Sequence, residues 1–211
     1  MAWAKDQQKL AYRCNGAHIR YLRKRMGWSQ VQLKKASGYS ERLIAKAEAS
    51  GSIAHATLVD LAQSLSTKDQ VIRPEELIYD PISIAKSLIH GIYVLQNEMI
   101  SRVEHLIADN LKLEFVADKS KFPFAGSYVG VEGFRKGFEL FFDSMTIPSD
   151  IDYTKCYDYF SSPERKEAVV VWGESWIHPV GMKFNQPTHV AQRIEFENGR
   201  ISYLENCWDD V

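Results

Sequence analysis

Residues 27–48 read Gly27-Trp28-Ser29-Gln30-Val31-Gln32-Leu33-Lys34-Lys35-Ala36-Ser37-Gly38-Tyr39-Ser40-Glu41-Arg42-Leu43-Ile44-Ala45-Lys46-Ala47-Glu48. Two short helices with a tight turn between them fit this stretch. Ser29 offers an N-cap, its side-chain oxygen able to accept from a backbone N–H of the next turn. Val31, Leu33 and Ala36 supply the apolar contacts of one helix, which stops at Gly38. Ser40 caps the next, where Ile44, Ala47 and Glu48 follow at spacings of three and four. The face those residues leave free presents Glu41, Arg42, Ala45 and Lys46.

Outward from this pair the helical pattern continues. Ile19, Leu22 and Arg23 recur at helical spacing before Gly27, and a last helix, about 56–65, carries Leu58, Leu61, Ala62 and Leu65 on one stripe. The expected N-terminal domain, residues 1–66, is therefore all-α with four to five helices. Charge sets it apart: residues 1–70 hold 12 Lys/Arg against 5 Asp/Glu, whereas 71–211 hold 14 against 22, within a net charge of −1. A basic third joined to an acidic remainder suggests that the first part approaches a polyanion.

The series Ile19, Arg20, Leu22, Arg23, Gly27, Trp28, Ser29, Gln30, Leu33, Ser37, Gly38, Ser40, Ile44, Glu48, Thr57, Leu58, Leu61 and Ala62 resembles the lambda-repressor-like, or XRE-type, helix-turn-helix family. The resemblance covers about residues 14–66. It implies a transcription regulator whose helix after Ser40 lies in the major groove, while the helix after Ser29 crosses the DNA backbone. It also implies an ion pair between Arg23 and Glu48; the plainer reading leaves Glu48 exposed at the end of a basic helix. Arg42 would bond a guanine edge with two donors, and Glu41 would accept from a cytosine amino group. Equally, a carboxylate in a first helical turn simply suits the helix dipole. Gln30 is placed to hold a phosphate by its side chain or its backbone N–H. Ser52 and His55 would do the same, unless they are ordinary loop residues. Two departures from the family stand out: Ile53-Ala54 where a proline and a capping serine are usual, and Ala49 where a polar residue is common.

Residues 67–81 read as a linker with one short helix, started by Pro74 with Glu75 and Glu76 in its first turn. The expected second domain, 82–211, begins with a helical pattern from Ile82 to Asn110. A strand over Leu111–Phe115 follows, then a turn-rich loop over 122–130 and a helix from Val131 to Met145 bearing Phe134, Phe138, Phe141 and Phe142. Alternation then predicts strands at Ile151–Phe160, Ala168–His178, Thr188–Phe196 and Ile201–Trp208, the last two joined by Asn198-Gly199, a strong hairpin signal. Helices followed by a curled antiparallel sheet make an α+β domain.

That order, with Phe124-Ala125-Gly126-Ser127-Tyr128-Val129-Gly130, Val169-Val170-Val171-Trp172-Gly173-Glu174 and the run from Arg193 through Ile201 to Asp209, resembles the SnoaL-like branch of the nuclear-transport-factor-2-like superfamily. The resemblance implies a cone of curved sheet closed by helices, with a pocket that binds a ligand in some members and catalyses isomerisation, cyclisation or hydrolysis in others. It also implies pairing of two copies through the sheet. Strand alternation places Trp172, Trp176 and His178 on one face, Gln192 with Val190, Ile194 and Phe196, and Asn206 with Leu204 and Trp208. With Phe124 and Tyr128 these make the candidate ligand site, unless they form a plain core with satisfied polar atoms. For catalysis, Asp118, His178, Glu205 and Asp209 are the acids and bases available, and none faces an evident oxyanion donor, so no catalytic residue is expected.

Other features bound the function. Cys14, Cys156 and Cys207 are too scattered for a disulfide frame or a zinc site, and His178 and His189 stand 11 apart without a nearby third, against a metal-binding cupin. No metal or cofactor is expected. The start, from Met1 to Gln8, lacks a signal pattern and no run suits a membrane span, which suggests a cytoplasmic protein. The expected whole is a homodimeric regulator of a palindromic operator, responsive to an unknown small molecule. The alternatives are a SnoaL-like isomerase or cyclase carrying a DNA-binding domain, and a regulator whose second domain only dimerises.

Overall fold

The computed structural model describes residues 10–161, 167–182 and 186–208. The chain divides into two compact units, 1–80 and 81–211.

In the first unit β1 (Ala11–Arg13) leads into α1 (Gly16–Arg25), α2 (Gln30–Ser37) and α3 (Glu41–Glu48); β2 (Ser52–Ala54) and α4 (His55–Leu65) follow. Each start has a local cause. Asn15 accepts from the His18 N–H to begin α1. Ser29 and Gln32 form a reciprocal capping box on α2, and Gly38 ends that helix in the left-handed region, at φ 75°. Ser40 accepts from the Leu43 N–H to begin α3. At α4, Ala54 provides no side-chain cap, so the departure at Ile53-Ala54 leaves that end bare. Ile19, Leu22, Leu33, Ile44, Leu58, Leu61 and Leu65 meet in the core.

Three expectations are corrected here. The unit is not all-α: β1 and β2 pair antiparallel, Tyr12 opposite Ile53, so Ser52 belongs to a strand and not to a loop. In α2 only Leu33 is buried; Val31 and Ala36 face outward, because an eight-residue helix on one face of a small core has room for one inward turn. Residues 67–80, read as a linker with one short helix, pack on the first unit. Ile72 and Leu77 join the core, the Leu77 carbonyl accepts from the Asn15 N–H at 2.8 Å, and the Tyr79 N–H reaches the Arg13 carbonyl at 2.8 Å.

The second unit begins with α5 (Pro81–His90), a π-helical turn over Gly91–Leu95, and α6 (Asn97–Val103). It continues with β3 (Ile107–Val116), β4 (Gly126–Val129), α7 (Gly130–Ser144), β5 (Met145–Thr146), β6 (Tyr157–Ser161), β7 (Ala168–Ser175), β8 (His178–Pro179), β9 (Thr188–Glu197) and β10 (Arg200–Trp208). The helical pattern thus ends at Leu106, and Ile107–Asn110 already belong to β3. Six strands form one sheet in the order β4-β3-β10-β9-β7-β6, and β5 pairs with β8 apart from it. The sheet is mixed, not antiparallel throughout: β10 runs parallel to β3, Leu204 beside Leu113 and Asn206 beside Phe115. Asn198 and Gly199, both at positive φ (52° and 78°), make the predicted hairpin between β9 and β10. On α7, Phe134, Phe138 and Phe141 are buried on one stripe. Phe138 and Phe141 contact Phe115 on β3. Among the described residues no helix is long and apolar enough to cross a membrane.

Candidate functional site

The first unit offers an exposed helical face fixed from beneath by a buried ion pair. Ile44, Ala47 and Glu48 of α3 are buried; Glu41, Arg42, Ala45 and Lys46 are exposed, and Ser40 stands at the cap. Glu48 is 4% exposed. The Arg23 guanidinium donates to it twice, Nε to Oε1 at 2.5 Å and Nη2 to Oε2 at 3.0 Å, and Arg23 Nη1 also donates to the Trp28 carbonyl. Arg20 lies 3.5 Å from Oε2. Burial pushes the Glu48 carboxyl up, but the bonds from Arg23 and Gln30 and the charges of Arg23 and Arg20 outweigh it and hold the group below the ordinary glutamate value. The fork therefore locks α1, α2 and α3 in one arrangement.

Gln30 is used differently from the expectation. Its Nε2 donates to Glu48 Oε2 at 2.9 Å, which commits the side chain inward as the third ligand of the carboxylate. Ser52 is exposed beside Arg13, and His55 packs edge-on against Tyr12 at 5.6 Å. Gly16 shows how close the elements lie: a Cβ there would meet the Glu48 carbonyl oxygen at 2.5 Å and the Ser50 nitrogen at 2.6 Å.

The second unit holds a cavity of about 10 Å³, room for roughly one water and far below the size of a preformed ligand pocket. Its aromatic walls are Tyr93, Phe115, Phe138, Phe141, Tyr157 and Trp208. Ile89, Ile92, Ile177 and Val190 add aliphatic surface, and Ser175, Gln192 and Asn206 are its polar side chains. The Tyr93 hydroxyl lies 2.8 Å from that of Tyr157 and 3.4 Å from Ser175 Oγ, and its ring stacks on Tyr153 at 4.8 Å. Burial pushes both the Tyr93 and Tyr157 phenols up, so both remain protonated at neutral pH.

Of the seven expected ligand residues, Gln192 and Asn206 line this cavity and five do not. The inward face of β7 is the opposite of that expected: Val169, Val171, Gly173 and Ser175 are buried, and Trp172 is 49% exposed on the outside, stacked on His189. Pairing decides this, since Val171 lies opposite Gln192 and Gly173 opposite Val190. Gly173 must point inward because nothing larger fits: a Cβ would stand 2.0 Å from the Cys156 carbonyl oxygen. Trp176 is half-buried away from the cavity, and His178 pairs with Thr146 with its Nδ1 3.0 Å from the Trp176 carbonyl. Phe124 is core, against Phe115, Phe141 and Trp208, while the Tyr128 hydroxyl donates to the Phe124 carbonyl. Trp208, expected beside Asn206, does line the cavity, whereas Tyr93, Tyr157 and Ser175 were missed as lining residues. Parity from Gln192 through the sheet register would have found Ser175; Tyr93 depends on the π-helical turn, which no spacing rule predicts.

The acid–base candidates are elsewhere. Asp118 is exposed and bonded by Ser120; Glu205 alternates away from the buried Leu204 and Asn206; Asp209 lies outside the described residues. Among the described residues no group of three or more His, Cys, Asp or Glu could hold a metal. Cys14 is buried, Cys156 and Cys207 are half-buried, and all three are free thiols.

No family profile matches the chain, and no curated protein sequence matches it. Solved structures do resemble it. An NTF2-like protein from Burkholderia xenovorans shares 12% identity at a TM-score of 0.47, covering 61% of this chain and 88% of that one. An NTF2-like protein from Burkholderia pseudomallei shares 13% at 0.45, covering 61% and 90%. A LEH-like epoxide hydrolase from M. tuberculosis shares 14% at 0.42, covering 61% and 82%.

Proposed function

We propose that the chain is a sequence-specific DNA-binding transcription regulator of the XRE-like helix-turn-helix kind, with a SnoaL-like second unit that pairs two copies and senses a small molecule. The observation that carries the reading is the two-sided character of α3. One side is buried and pinned by the Arg23–Glu48 fork; the other exposes Glu41, Arg42, Ala45 and Lys46 on a basic unit. A rigid helix with polar, groove-facing side chains at its first turns is what base readout requires. With its amide turned to Glu48, Gln30 has its backbone N–H left for a phosphate. Ser40 and Ser52 are exposed for backbone contacts.

Selection of bound sequences from random DNA tests this, followed by salt titration of the winner. A two-fold symmetric site is expected, with log affinity falling steeply against log salt. Arg42→Ala should weaken the selected site by about 1–3 kcal/mol and relax preference at one base pair, whereas Lys46→Ala should weaken all sequences alike and reduce the salt slope by about one. Absence of any enriched sequence would refute base readout.

Pairing of two copies is supported by the outer face of the sheet. Trp172, Ala191, Cys207 and Val116 stand in one row across four strands, with Val170 and Phe160 exposed nearby. A contiguous apolar row of this kind suits an interface. Sedimentation of Trp172→Glu should show a monomer where the parent is a dimer; an unchanged dimer would move the interface elsewhere. Among the described residues the candidate acids and bases, Asp118, His178 and Glu205, stand outside the cavity lining, which favours sensing over an isomerase or cyclase.

A further inference from the structure

The wall of the second unit's cavity includes three side-chain polar atoms without partners among the described residues. Gln192 is 5% exposed and Asn206 3%, and Gln192 Oε1, Asn206 Nδ2 and Trp208 Nε1 are all buried and without a hydrogen-bond partner among the described residues. The three residues line the same cavity and are neighbours in the sheet: Gln192 pairs directly with Asn206, and Trp208 follows two residues along β10 on the same face. Buried polar groups are nearly always satisfied, so three unmet groups at one place call for a bonding atom from outside the chain.

Their inventory is specific. One acceptor and two donors are present, and exchanging the amide atoms of both Gln192 and Asn206 leaves that balance unchanged. A hydroxyl group supplies the complement: its hydrogen for the acceptor and its two lone pairs for the donors. Everything else at the wall is neutral, and most of it is aromatic or aliphatic. A carboxylate or ammonium would be buried there without a countercharge.

We propose that this cavity binds a neutral, largely apolar alcohol or phenol whose hydroxyl bonds Gln192, Asn206 and Trp208; the proposal rests on the reading of the second unit as a sensor. At about 10 Å³ the cavity accommodates the hydroxyl alone, so the rest of the ligand must displace side chains. The π-helical turn is the segment built to give way. It carries Ile92 and Tyr93 on the wall and ends at Gln96, a non-glycine residue at φ 48°. π-turns and such backbone conformations concentrate at functional sites.

The test is calorimetric titration of the full chain with phenol, cyclohexanol and toluene, with the Trp208 indole N–H followed by NMR. Phenol or cyclohexanol should bind about tenfold tighter than toluene and shift the Trp208 resonance. The double variant Gln192→Met, Asn206→Leu should lose that preference. Equal affinity for toluene, a preference that survives in the double variant, or binding of none of the three probes would each overturn the proposal. If the double variant does not fold, the phenol–toluene comparison and the Trp208 shift in the parent decide alone. Operator selection is run without any probe, so failure to enrich a DNA sequence while phenol still binds the protein refutes the regulator and not the ligand; an enriched sequence without phenol binding refutes only the ligand.

Discussion

Glu48→Ala in the full chain should lower the stability of the first unit by about 3–5 kcal/mol, the cost of leaving a buried guanidinium without its partner. The loss comes from one carboxylate that serves three helices. Arg23 is 8% exposed and aims two donors at Glu48; Gln30 adds a third from α2, and Arg20 approaches from α1. Removing the carboxylate strands the Arg23 and Gln30 donors at once, while Arg20 keeps water and the main-chain carbonyl of position 48. Truncating Gln30 alone removes one neutral donor and should cost far less, about 1 kcal/mol. Because the folded carboxyl is held below its ordinary value, the stabilisation is fully present above the unfolded value of about 4.3 and is lost as pH falls through the folded value. Acid titration of the melting temperature should therefore show a fall below about pH 4.3 that is diminished in Glu48→Ala. A variant that melts and titrates like the parent would show the fork to be energetically idle.

The second large effect is expected at Phe141. Its ring meets Phe124 at 5.1 Å, Phe142 at 5.4 Å, Trp208 at 5.9 Å and both Phe115 and Phe138 at 6.0 Å, and it also walls the cavity. Phe141→Ala should destabilise the second unit by about 3–5 kcal/mol, the transfer and cavity terms together. It should also enlarge an apolar space that benzene or toluene can enter, recovering part of the loss as a ligand-dependent rise in melting temperature. Calorimetric melting with and without toluene checks both. A small loss of stability would mean that α7 and the sheet close over the deleted ring.

Much of the architecture was legible because the signals were local. Ser29, Gly38 and Ser40 mark helix ends by their own backbone chemistry, and Asn198-Gly199 fixes a hairpin by sign of φ, so these positions agree with the structure without help from distant residues. The errors lie where distant contacts decide. Val170 and Val171 are equally good strand residues, and only the pairing of Val171 with Gln192 and the crowding at Gly173 determine which face is inward. The same holds for residues 67–80, which read as a linker with a short helix yet donate Ile72 and Leu77 to a core, and for the parallel pairing of β10 with β3. The candidate DNA face is legible from helical periodicity alone. The cavity was half legible: Gln192 and Asn206 followed from alternation, whereas Tyr93 depends on a turn of π-helix.

The parallel contact between β3 and β10 has a bearing on synthesis. The strand spanning Arg200–Trp208 occupies an interior lane of the sheet, yet every other lane leaves the ribosome before it. Until it emerges, β3 and β9 each present a bare hydrogen-bonding edge. The nascent second unit must wait half-zipped, a state in which chaperone capture and mispairing with other chains compete with completion.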